Sequence, residues 1–207
     1  VNSRNELPLY DYPLNHPSKA SVLELLERNE MLQIDREPIA TEGRCYWNVI
    51  DHVAIHGGKL IQGWMVEWSP EVLISIMHHG VWQKEDGSLL DITKATLTQS
   101  ANKTTFVPSG DIVNPNGITF IPRRYLALKD DYLLNKFIKL YQINFNAMRN
   151  FKLEMLHEKR ASFFNGEFRY LQDAPAHIAD KYKATIDLTH NECILVKKSI
   201  INKYFKQ

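Results

Sequence analysis

Three residue types that together activate a thiol occur within one short stretch of this sequence: Cys45, His79 and Asp91. A cysteine attacks as its thiolate, which needs a base or cation beside it and a third group to orient that partner. Cys45 falls just after Gly43, where a helix is expected to begin. The unpaired amides of a helix N-terminus lower a thiol pKa and can face a developing oxyanion. His78 and His79 fall in an alternating, strand-like run, and Asp91 falls in the next such run, across an Asp86-Gly87 turn. Adjacent strands lie about 4.8 Å apart, so Asp91 can reach a histidine on its neighbour. Alternation lets only one of the two histidines point toward Cys45. We expect His79, with Val81, on the face near the helix, and His78, with Gly80 and Trp82, on the opposite face.

Gly43-Arg44-Cys45 before a helix, His79-Gly80-Val81-Trp82 on a strand, then Asp86-Gly87 and Asp91-Ile92-Thr93, resemble the core of the transglutaminase-like branch of the papain-like cysteine enzymes. The resemblance covers segment 43–93. It implies Cys45 as nucleophile, His79 as general base and acid, and Asp91 as the residue that orients His79. It also implies acyl transfer on an amide through a Cys45 thioester, of transglutaminase, deamidase or peptidase type, with a protein or peptide substrate and no cofactor. Trp82 stands three positions after His79, where the family pattern has two. Trp47, Asn48 and Trp64 are the candidates for the oxyanion site or the substrate wall. The Gln that many such enzymes place upstream of the Cys has its one counterpart in Gln33, expected on the first helix.

Other chemistries have weaker signals. His52 and His56 stand at i and i+4 of the expected helix and would share a metal only with a third ligand. Cys45 lies about 10 Å away along the helix axis, and there is no HExxH pattern, so no metal site is expected. A lone cysteine is commonly a small buried hydrophobe, which is how Cys193 reads. Arg123-Arg124 and the Lys197-Lys198 tail read as surface charge, and no phosphate-cradling glycine loop is present. The rival to the enzyme is a non-catalytic interaction protein on the same fold, using its aromatic sheet and long helix as the contact surface.

The elements that must position these residues can be read from periodicity. Residues 1–17 read as an extended lead-in. A first helix should follow, capped at Ser18 or Ser21 and limited by Pro38. A second should span Cys45 to His56 and stop at Gly57-Gly58. Strands are expected at Leu60 to Trp68, Val72 to Trp82 and Ser88 to Thr93, then at Thr104 to Val107 and Ile118 to Ile121 around an Asn114-Pro115-Asn116-Gly117 turn. A long helix or two consecutive ones should fill 125–160. A short helix at Ala174 to Tyr182 and strands at Ala184 to Leu188 and Cys193 to Lys197 complete the chain. The expected class is α+β: a papain-like, transglutaminase-like core of one helix on an antiparallel sheet, with a C-terminal helical addition.

The 207 residues are 44% hydrophobic and 24% charged, as in a globular chain with a sizeable core. A single domain over 1–207 is expected, with a lead-in and helix to residue 44, a catalytic-like core over 45–124 and a mixed extension over 125–207. A net charge of +1 provides no overall field to draw the protein to nucleic acid or an acidic membrane surface. No apolar run approaches the roughly 18 residues of a membrane span, and no signal-peptide core is visible from Val1 onward. Two cysteines make no disulfide framework, and a reducing, cytoplasmic location is expected.

Overall fold

A computed structural model describes residues 6–94, 102–110, 114, 120–164 and 167–205. The chain divides into two compact units, one within Pro8–Pro115 and Arg123–Leu128, the other within Val1–Leu7, Asn116–Pro122 and Lys129–Gln207. Helices and a sheet pack together, an α+β arrangement. No helix among the described residues is long and apolar enough to cross a membrane.

The first unit holds β1 (Tyr10–Asp11), α1 (Lys19–Leu26), β2 (Leu32–Ala40), α2 (Cys45–His56), β3 (Lys59–Ser69), β4 (Leu73–Gln83), β5 (Leu89–Thr93), β6 (Lys103–Pro108) and β7 (Arg124–Ala127). α1 stops at Glu27, in left-handed conformation, well short of Pro38. The chain then alternates, with Ile34 and Arg36 buried between exposed Gln33, Asp35 and Glu37, and forms β2. Leu32 and Gln33 therefore lie on a strand rather than on the first helix. The reason is the period: from Leu32 the buried positions recur every second residue, as a half-buried strand requires.

β3 and β4 form one long antiparallel hairpin, and β4 turns into β5 through Asp86-Gly87. Gly87 takes a positive φ, and Asp86 Oδ1 accepts from the Ser88 backbone N–H and hydroxyl. β2 pairs parallel with β5 and antiparallel with β6, which in turn pairs with β3. The pairings β3, β6, β2, β5, β4 and back to β3 close a ring, a five-stranded barrel. β1 and β7 extend it on β3 and β4.

Ile34, Val81 and Phe106 cluster with Leu32, Ile61 and Leu89. These six come from all five ring strands, so they mark the barrel interior. Gly63 lets the Phe106 ring in, because a Cβ there would lie 2.4 Å from its Cζ. On the outer face α2 lays Val49 and Val53 over Leu60, Trp82, Leu90 and Ile92. Gly80 allows this approach, since a Cβ would meet Leu60 at 2.9 Å and the Tyr46 ring at 3.4 Å.

The second unit is built on α3 (Tyr132–His157) and α4 (Ala176–Tyr204), with a hairpin of β8 (Ala161–Phe164) and β9 (Glu167–Tyr170) between them. Asp131 caps α3 by accepting from Leu133 N and Leu134 N, and Tyr204 at the end of α4 donates to its other oxygen. The helices are therefore antiparallel. The expected strands at Ala184 to Leu188 and Cys193 to Lys197 are instead one continuous α4. Its β-branched residues suggested strands, but Ile178, Thr189, Val196, Ile200 and Ile201 are buried at helical spacing, and packing overrides propensity. Residues 125–127, expected as helix, belong to β7. Phe120 and Ile121 form no strand, and the other residues of that expected strand, with 115–117 of the turn, lie outside the described residues.

Candidate active site

α2 starts at Cys45, with no side-chain cap on its first turn, so the leading amides are left for another acceptor. Cys45 is half-buried. His79 lies on β4 and Asp91 on β5, both buried, at 3% and 0% exposure. The β4–β5 ladder runs through Gln83↔Leu89 and Trp82↔Leu90 and then ends. Continued, that register would set Asp91 opposite Val81, so His79 is its diagonal neighbour, within reach of long side chains.

His79 Nε2 lies 3.0 Å from Asp91 Oδ2. The oxygen sits off the N–H direction, and Nδ1 likewise lacks an aligned partner, so the contact is an ion-pair approach and not a linear hydrogen bond. Such looseness is common in resting sites. The Cys45 thiol also acts on the ring.

Burial works against a charged His79, but Asp91 and then Cys45 outweigh it and raise its pKa well above the ordinary value. Burial would raise Asp91 in turn. His79, the Thr104 hydroxyl and Arg36 overcome it and hold the carboxyl well below the usual range. Its Oδ2 accepts from Thr104 Oγ1 at 2.6 Å and Arg36 Nε at 3.1 Å, and its Oδ1 from Thr93 N at 3.0 Å. An imidazolium beside a fixed carboxylate is the arrangement that supports a thiolate.

Strand alternation separates the two histidines as expected, but the faces are exchanged relative to α2. The helix covers the side bearing His78, Gly80 and Trp82. His79 and Val81 point into the barrel. Cys45 stands at the tip of α2 and acts on His79 from there. His78 pairs through Nδ1 with the Tyr46 hydroxyl and takes the Trp64 ring edge-on at 4.7 Å.

The oxyanion and wall candidates have different fates. Trp64 is buried against His78 and carries the Arg124 guanidinium over its ring, 4.6 Å from the centroid, so it is a packing residue. Asn48 spends both amide hydrogens, on Thr41 O at 2.6 Å and Thr93 Oγ1 at 3.1 Å, and so tethers rather than donates to a substrate. Gln33 is exposed on β2, with its neighbours Ile34 and Leu32 facing the barrel interior. Trp47, half-buried two positions after Cys45, remains the wall candidate.

The His52 and His56 rings lie 4.2 Å apart and tilted by 34°, and His52 meets Trp82 edge-on. Burial, then His56, lowers the His52 pKa. Among the described residues no three His, Cys, Asp or Glu side chains converge as metal ligands. Cys193 is half-buried on α4, and burial raises its thiol pKa.

Sequence reasoning missed Arg36, Thr104, Asp11 and Glu67. All lie in or beside the barrel near Asp91. The available signal was the period-two series Leu32, Ile34, Arg36, which places a charge on the apolar face of a strand. No family model, curated protein or solved structure matches the chain.

Proposed function

We propose that the protein carries out acyl transfer on an amide through a thioester at Cys45, on a papain-like, transglutaminase-like core. One observation carries this reading: a helix-tip cysteine, a buried histidine and a buried aspartate meet in series, with His79 Nε2 3.0 Å from Asp91 Oδ2. The packing of α2 on the β3–β4–β5 meander supports the same reading.

The thiol proton passes to His79, giving a thiolate and an imidazolium that Asp91 stabilises. The thiolate adds to the amide carbon, and the first-turn amides of α2 donate to the oxyanion. Collapse breaks the C–N bond as His79 returns its proton to the leaving amine or ammonia. The thioester is then cleaved by water or by an amine with His79 as base. Water gives deamidation or proteolysis, and an amine gives a cross-link.

The enclosure of His79 favours one second reading, a non-catalytic interaction protein that keeps this fold. One experiment separates them. Iodoacetamide alkylation across pH, mapped by mass spectrometry, should modify Cys45 well below the ordinary thiol midpoint near 8.5. Glutamine-containing peptides should release ammonia with wild type and none with Cys45→Ala. Alkylation of Cys45 only above that midpoint would sink the acyl-transfer reading.

A further inference from the structure

We propose that Arg36 is a positioning residue of this site: its buried guanidinium is a second counter-ion of Asp91 and sets how firmly His79 and Cys45 hold their protons. The inference rests on the acyl-transfer reading above. Asp91 Oδ2 receives His79 Nε2 at 3.0 Å and Arg36 Nε at 3.1 Å, so two cations share one carboxylate oxygen. The Arg36 side chain is 1% exposed and is fixed further by Met65 Sδ at 3.4 Å. Its Nη2 faces Asp11 Oδ1 at 3.9 Å.

Asp11 on β1, Glu67 on β3 and Asp91 on β5 face Arg36; His79 on β4 and Arg123 just before β7 act on these acids in turn, and Cys45 on α2 acts on His79. Arg36 is the cation that acts on all three acids, Asp11, Glu67 and Asp91. A plain orienting aspartate would give its whole field to the histidine. Here a permanent cation offsets part of it, which weakens the hold of His79 on its proton and, as a positive charge, that of the thiol as well. Asp11 modulates the offset from the far side. Burial pushes it up to about 7, so its charge is present only above that pH.

The consequences have definite signs. Removing a cation raises the pKa of every titrating neighbour, and removing an anion lowers it. In a Cys193→Ser background Cys45 is the one thiol, so its alkylation midpoint is read with iodoacetamide and the His79 step by proton NMR of the ring. Arg36→Met should move both midpoints up, by about half a unit or more. Arg36→Lys, which keeps the charge, should retain the parent midpoints. Asp11→Asn should lower the His79 step. A purely structural Arg36 would reduce the folded fraction without moving either midpoint, so unmoved or lowered midpoints in folded Arg36→Met overturn the proposal. If circular dichroism shows that variant unfolded, Asp11→Asn decides, and an unmoved His79 step overturns it. An ordinary alkylation midpoint in the parent itself would fell the acyl-transfer reading and the role of Arg36 together, whereas a low midpoint indifferent to these variants fells the role of Arg36 alone.

Discussion

Asn48 Nδ2 donates to Thr93 Oγ1 at 3.1 Å, which ties the first turn of α2 to the end of β5. Its second hydrogen holds the Thr41 carbonyl ahead of the helix, and Thr93 N grips Asp91 Oδ1. One side chain thus couples the placement of Cys45 to that of Asp91. Asn48→Ala should lose two hydrogen bonds, about 1–2 kcal/mol of stability by urea unfolding. It should also slow Cys45 alkylation at pH 6 while leaving Cys193 labelling as it was. Unchanged alkylation would make the tether a stability device only.

Cys45→Ala should abolish labelling at that position and cost less than about 1 kcal/mol, because a half-buried helix-tip residue gives up few packing contacts. Peptide mapping and a denaturant midpoint check both. A loss well above 1 kcal/mol would place Cys45 in the core and take away its role at the cleft.

The elements that carry Cys45, His79 and Asp91 are legible in the sequence because they are local. Cys45 to Thr93 is helix, strand, strand, strand with short connections, and each boundary carries its own punctuation: Gly43, Gly57-Gly58, Ser69-Pro70 and Asp86-Gly87. Alternation then sorted His79 from His78. It could not show which face α2 would cover, because that depends on closure of β3 and β4 with β2, β5 and β6. Barrel closure is a long-range property with no signature in any single segment. For the same reason Arg36 escaped notice: its segment reads as the tail of α1 until its pairing with β5 is known. The second unit was misread where β-branched residues line a long helix. Ile178, Val196 and Ile200 serve α3, and that partnership is invisible from α4 alone.

Asp11 and Asp91 give stability opposite dependences on pH. Asp91 sits below its unfolded value near 3.9, so its contribution is present above about pH 4 and lost only in strong acid. Asp11 sits above, at about 7, so the folded state binds more protons between about 4 and 7 and stability falls as pH rises through that window. His79, also raised, stabilises below its unfolded pKa near 6.5, and that contribution is lost as pH rises through the folded value. Asp11→Asn should therefore be more stable than wild type at pH 8, with the difference vanishing toward pH 4. Urea midpoints at both pH values test this, and a difference independent of pH would show that Asp11 is ionised throughout.

His78 and His79 should separate cleanly when each is replaced by Ala. His79→Ala removes the imidazole on which Cys45 acts, so the alkylation midpoint should rise toward 8.5, that of a free thiol. His78 does different work. It lies under α2, pairs with the hydroxyl of fully buried Tyr46 and takes Trp64 edge-on. His78→Ala leaves that hydroxyl without its partner beneath the helix, at a cost of about 1–3 kcal/mol, while the alkylation midpoint stays nearly where it was. Tyr46→Phe should relieve most of this cost in the double variant, because the stranded hydroxyl is gone. The test is therefore a cycle of His78→Ala and Tyr46→Phe read by urea unfolding, with alkylation followed in parallel. Additive stability losses would deny the Tyr46–His78 bond its energetic role. A shifted alkylation midpoint in His78→Ala would move the base to His78 and break the assignment of His79 to the thiol.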